Sequence, residues 1–176
     1  RAVPADWLVL APRGLKPDPD GGYTWHPRRP GEWPPLRAFD DAADAAARFI
    51  RALPELYRAD PAHIYLMGFS QGAAVAYAAV LRHSGLVRGI AGLVGFMPTE
   101  SDEAVRAAPL AGLPVFMAAG QRDPWIPPEI AEDCASALRA AGAALEYRAY
   151  DTGHKLDAQG MRDLARWWRE RAAEEL

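Results

Sequence analysis

The chain has 176 residues and a formal net charge of −3; half the residues are hydrophobic and 24% are charged. That length suits one domain with one core, and the composition excludes wholesale disorder. No basic run marks a nucleic-acid partner, and the lone Cys134 excludes an internal disulfide framework and a cysteine-based zinc cluster.

In chain order, Trp7-Leu8-Val9-Leu10 is a short apolar run ended by Pro12 and Gly14, and it predicts a buried strand. Residues 12–35 are dense in proline and glycine and read as one long ordered loop without regular elements. Such a loop inside a compact domain is usually functional. From Leu36 to Tyr57, Phe39, Ala43, Ala46, Phe49, Ile50 and Leu53 recur at helical spacing, with acidic residues early in the segment. Asp60-Pro61 punctuates, and His63–Met67 predicts the next strand.

Gly72–Leu81 reads as a helix of small residues able to sit close on a sheet. Val87–Phe96 and Val115–Ala119 predict two further strands, with a short helix ending near Ala108 between them. Pro127-Pro128 opens a helix to about Ala141, as proline in a first turn allows. Leu145–Tyr150 predicts a strand, and Lys155–Glu174 a closing helix that buries Leu156, Met161, Leu164, Trp167 and Trp168. Strands alternating with helices predict an α/β domain with a mostly parallel sheet covered on both faces. No repeat or linker divides residues 1–176, which read as a single domain.

Ala62–Leu81 carries no formal charge for 20 residues, long enough for a membrane span. Gly68 and Gly72 flank polar residues at its centre, so a strand, a turn and a helix fit better. No signal peptide is visible after Arg1, and the expected location is cytoplasmic. The chain does not begin with Met.

The turn itself is Gly68-Phe69-Ser70-Gln71-Gly72, a G-x-S-x-G set between a predicted strand and a predicted helix. Such a turn strains the serine backbone, lets its Oγ project from the strand end, and uses the flanking glycines where side chains would collide. The N–H of Gln71, at a helix N-terminus, then faces the position of a developing oxyanion. Serine needs a base, and the base needs an acid to orient it. His154 follows the last strand at the sheet edge from which Ser70 emerges, and is the expected base. His26, in the long loop, is the alternative, while His63 and His83 fall at the wrong ends of their elements. Asp123, after the fourth strand, is the expected acid. Asp102 is its rival, with a helix N-terminus as its other role, and Asp151 suits turn chemistry. The chain order Ser70, Asp123, His154 is the one an α/β-hydrolase fold imposes.

The chain resembles the phospholipase/carboxylesterase group of α/β-hydrolases, which includes the acyl-protein thioesterases. Val9–Gly14, Gly21–Trp25, Gly68–Gly72, Gly95–Pro98, Asp123–Pro127 and Gly153-His154 carry the similarity in order along nearly the whole chain. The resemblance implies hydrolysis of carboxylic esters, with thioesters and lysophospholipids as alternatives, and no metal or organic cofactor. The expected partner is a small-molecule ester. Members of this group also carry an earlier strand ending in His-Gly, whose loop supplies a second oxyanion donor. By the usual strand order it would lie between the Trp7 strand and the Ser70 strand, and no segment before Trp7 supplies it. The expectation is therefore an N-terminally incomplete domain.

Substrate-lining candidates are Tyr23, Trp25, Phe96, Met97, Trp125 and Ile126, each equally at home in a core. Only 15 residues separate Met97 from Leu113, without a lid-like apolar helix, which favours short to medium acyl chains. Trp33-Pro34-Pro35 is a candidate contact for a homodimer. A binding protein that kept the hydrolase fold is the expectation from another class.

Overall fold

The protein was analysed as a computed structural model that describes residues 2–27 and 31–173. Four strands form a parallel sheet in chain order: β3 (Tyr65–Phe69), β4 (Gly89–Leu93), β5 (Pro114–Gly120) and β6 (Ala144–Tyr150). The register is tight, with Gly68 opposite Gly92 and Leu93 opposite Ala118. Two-residue strands β1 (Lys16–Pro17) and β2 (Tyr23–Thr24) pair antiparallel within the long N-terminal loop.

Alternation along the central strands divides the core in two. Ile90, Val115, Met117 and Ala119 point to one side, where they meet α2 (Gln71–Arg82) and α4 (Pro128–Ala140). The helix α1 (Asp40–Tyr57) and the short α3 (Asp102–Arg106) also contribute to that side. Ala91, Leu93, Phe116 and Ala118 point to the other, against Leu164, Trp167 and Trp168 of α5 (Ala158–Ala173). Strands buried on both faces become continuous apolar runs, as β4 and β5 are. The small side chains of α2 let it approach the sheet closely, and Ala73 through Leu81 are all buried. No helix among the described residues is long and apolar enough to cross a membrane.

Three expectations need correction. Trp7–Leu10 forms no strand: Leu8 and Val9 are 61% and 55% exposed. A strand persists only where a neighbour takes up its backbone hydrogen bonds. What anchors this segment is a ring contact, with Trp7 stacked on Tyr65 at 4.9 Å and edge-on to Trp168 at 5.5 Å. The loop 12–35 is not without regular structure, since it holds the β1–β2 hairpin. Its turn is closed by Asp18 N–H donating to Gly22 O at 3.1 Å and Gly21 N–H donating to Asp18 O at 2.9 Å. Met161 is 43% exposed, because the buried stripe of α5 runs through Gly160, Leu164 and Trp167. The last residue expected in that helix, Glu174, lies outside the described ones.

β3 is one of the two edge strands of the sheet, β6 being the other. Beside β3 runs a groove of about 360 Å³, lined by Leu8, Leu10, Trp25, Met67, Phe69 and Trp168 among others. No charged side chain lines it.

Candidate active site

Ser70 sits between β3 and α2 with φ +54° and ψ −117°. A non-glycine residue is held there only when its surroundings over-determine it. The ties are visible: Ser70 N–H donates to Leu93 O at 2.8 Å, and Ser70 O accepts from Ala73 N–H at 3.0 Å. Gly68 makes room for the turn, because a Cβ there would stand 2.3 Å from the Gly72 carbonyl. Gln71 is the first residue of α2, so its N–H belongs to the unsatisfied first turn, where the helix favours negative charge.

Asp123 lies in the turn after β5, its side chain fully enclosed. Its Oδ1 accepts from the N–H groups of Trp125 (2.8 Å) and Ile126 (3.0 Å). Its Oδ2 lies 2.7 Å from His154 Nδ1. An ionised carboxylate only accepts, so Nδ1 is the donor of this bond, and in a neutral imidazole so oriented Nε2 keeps its lone pair. The loop bearing His154 is laced to the end of β5. Gln121 N–H donates to Tyr150 O (2.8 Å) and Arg122 N–H to Thr152 O (2.9 Å). A Cβ on Gly120 would meet Gly153 O at 2.3 Å, so a side chain there would push the loop away. On its other side His154 meets the Phe69 ring edge-on, with centroids 5.1 Å apart. Residue 154 therefore stands beside the Ser70 turn.

The alternatives have other partners. Asp102 opens α3 at the surface, and Asp151 is exposed and paired with Arg122 at 2.6 Å. His26 packs against Phe39 with centroids 5.5 Å apart. His63 and His83 pair with Asp60 and Asp44, at 2.9 and 2.8 Å. The Cys134 thiol, pushed up to about 12 chiefly by burial, is no nucleophile near neutral pH.

The lining candidates separate by depth. Trp125 is 67% exposed, and Tyr23 is exposed with the Arg13 guanidinium 3.8 Å over its ring. Trp25 and Met97 are half-buried. Phe96 and Ile126 belong to the core, Phe96 meeting Trp33 edge-on at 5.1 Å. Trp33, the candidate homodimer contact, is half-buried in that pairing. Two contacts went unread in the sequence: the Phe69 ring on His154, and the Gln71 side chain, which bonds to residues 24–26. The signal for the second is a lone glutamine opening a helix that then stays uncharged to Leu81.

Comparison with known proteins agrees with this architecture. A rice protein (Oryza sativa subsp. japonica) described as a probable inactive carboxylesterase is 34% identical over 110 residues, which is 61% of this chain and 45% of the relative. The chain thus spans about half the length of that relative. The crystal structure of esterase PE8 is 25% identical with a TM-score of 0.74, covering 92% of this chain and 77% of that one. The Bacillus cereus carboxylesterase shares the fold at 20% identity, with a TM-score of 0.71 and coverage of 90% and 73%. The model of the phospholipase/carboxylesterase family matches residues 37–170, and the chain belongs to that α/β-hydrolase family.

Proposed function

We propose that the protein is a serine hydrolase that cleaves carboxylic esters of short to medium acyl chains through an acyl-enzyme intermediate. The observation that carries this reading is the enclosed Asp123 carboxylate 2.7 Å from His154 Nδ1, with that imidazole beside the strained Ser70 turn. In the proposed reaction, Ser70 Oγ attacks the ester carbonyl while its proton passes to His154 Nε2. Asp123 holds the tautomer and balances the imidazolium charge. The oxyanion accepts the Gln71 N–H. Collapse returns the proton from Nε2 to the leaving alcohol, and the acyl group stays on Oγ. Water, deprotonated by the same imidazole, then releases the acid and regenerates Ser70.

Family resemblance assigns a second oxyanion donor to a strand on the far side of β3. The uncharged groove beside β3 is where such a strand would lie. One such donor is typically worth ~10²–10³ in rate. The size reading takes Tyr23, Trp25 and Trp125 as an apolar lining of limited depth. Between Met97 and Leu113 the chain holds only α3 and its turns, without an amphipathic lid. Each methylene that finds apolar cover adds ~0.8 kcal/mol until the wall ends. Thioesters and lysophospholipids would be handled by the same three residues.

The description of the rice relative as inactive favours a second reading, a binding protein on this fold. Fluorophosphonate labelling separates the two. A serine hydrolase labels at Ser70, and labelling is lost in Ser70→Ala; no labelling of the folded protein favours the binder. A series of p-nitrophenyl esters then tests size, with kcat/KM expected to peak below the long-chain end. A maximum at palmitate, or a rate jump at the critical micelle concentration, would overturn the short-to-medium preference.

A further inference from the structure

Residues 151–157 join β6 to α5 without regular structure, and His154 stands in the middle of them. The bond from its Nδ1 to Asp123 is only as steady as the hold of this loop on the end of β5. Little within the loop supplies that hold. Thr152 is buried, but its hydroxyl has no hydrogen-bond partner among the described residues. Thr152 N–H to Tyr150 O (2.7 Å) and Lys155 N–H to Gly153 O (2.8 Å) tie the loop to β6 and to itself. Among the described residues, the hydrogen bonds that reach 151–153 from the β5 side start at Arg122. Its backbone N–H donates to Thr152 O at 2.9 Å. Its Nε lies 2.6 Å from Asp151 Oδ1, and a terminal guanidinium N–H donates to Asp151 O at 2.8 Å. The planar fork thus takes the carboxylate and the carbonyl of one residue. Arg122 immediately precedes the acid, so adjacent residues grip the loop at 151 and 152 and at 154.

Resting on the esterase reading above, we propose that Arg122 is a positioning residue for the base: its guanidinium clasps Asp151 and so keeps His154 Nδ1 on the Asp123 carboxylate. The clasp lies outside the enclosed pair, since the Arg122 and Asp151 side chains are 70% and 77% exposed while that of Asp123 is fully buried. Exposed ion pairs contribute little to folding, and they count most where a fork meets two acceptors. The weight of the clasp therefore falls on where the base sits rather than on whether the domain folds. Position matters steeply for a proton transfer, where a misplacement of about 1 Å can cost ~10²-fold. Because the clasp holds the base and not the substrate, it acts on all esters alike.

Arg122→Gln keeps the backbone bond to Thr152 and removes the clasp. Its kcat/KM should fall about threefold, within the factor of about five by which an exposed pair can shift an equilibrium. The factor should be the same for p-nitrophenyl acetate and butyrate, with thermal unfolding close to that of wild type. In substrate-free protein, the His154 Nδ1 proton, followed by NMR, should exchange with water faster in the variant. Asp151→Ala leaves the carbonyl contact and should shift both readouts in the same direction by a smaller factor. The double variant should be no worse than Arg122→Gln alone, because both changes remove one contact. Arg122→Lys restores the charge without the fork and should fall between wild type and Arg122→Gln. Unchanged Nδ1 exchange in Arg122→Gln would overturn the proposal, as would losses that add in the double variant or that differ between the two esters. The exchange measurement needs no turnover, so it stands or falls apart from the esterase reading, which Ser70 labelling tests.

Discussion

β5 and β3 belong to one sheet and each ends at a residue of the site, yet they live in different surroundings. Phe116, Met117 and Ala118 in β5 are fully buried between neighbours on both sides, whereas Met67 and Phe69 in β3 are 51% and 48% exposed at the sheet edge. Asp123 follows the enclosed β5, and His154 follows the opposite edge strand, β6. Asp123 is held by three hydrogen bonds, and the His154 loop is sewn to the end of β5. Residues 24–26, near the open side, are held instead by a side-chain amide and a hairpin of two-residue strands. The Asp123–His154 pair is thus fixed by many bonds at once, whereas residues 24–26 rest on a few.

The largest expected effect comes from the residue at the junction of the two regions. Ser70→Ala should lower ester turnover by ~10⁶, since nucleophile, base and acid act as a unit. The reading would not survive residual activity above a tenth of wild type with p-nitrophenyl butyrate. Next comes the enclosed acid. Asp123→Asn should cost about 10⁴ by analogy with the same change in serine proteases, because the wrong histidine tautomer is then favoured. Asp102→Asn, at the exposed start of α3, should stay near wild type. Similar mild losses from both would mean that the acid lies elsewhere.

Stability should divide the regions as sharply as chemistry does. Phe116→Ala removes a fully buried ring packed near Trp167 and should cost ~3–5 kcal/mol. Leu8→Ala, on a segment without a ladder and with a side chain mostly in solvent, should stay within about 0.5 kcal/mol. Urea melts of both variants test the contrast. Equal destabilisation would show that the 7–10 segment is part of the cooperative core.

The same division decides what could be read in the sequence. The helices α2 and α4 and the strand β5 were legible because burial on one stripe, or on both faces, leaves an unbroken apolar pattern. That Asp123 and His154 would meet was legible from their places after strands, and the two side chains do pair. The predicted strand 87–96 is shorter in the structure, since Val94 takes φ +43° and the chain leaves β4 after Leu93. Trp7–Leu10 misled because an apolar run does not say whether a partner strand stands beside it. The hairpin was hidden by Pro17, tolerated there because β1 is a two-residue edge. Met161 was misplaced by one residue on a helix whose stripe passes through a glycine, the residue type least visible to hydrophobic periodicity. The amide tether of Gln71 joins residues too far apart for any local pattern to show.

The finest test uses sulfur atoms already present on either side of the division. Met67 stands half in solvent on β3, and Met117 is fully enclosed on β5. Dilute peroxide should therefore convert Met67 to the sulfoxide well before Met117, with the exposed Met161 as an internal standard. Cys134 lies on the enclosed side, and burial pushes its thiol up to about 12. At pH 8 the thiolate is then on the order of one molecule in ten thousand, so a disulfide reagent should react only through opening of the fold. Raising the pH toward 12 increases the thiolate fraction, but native labelling should stay limited by access. If Met67 is instead as protected as Met117 while Met161 oxidises, the β3 edge is covered in solution, and the contrast between an enclosed and an open region collapses. Diluting the protein would then identify the cover: protection that fades with dilution is a second copy, and protection that persists belongs to the chain itself.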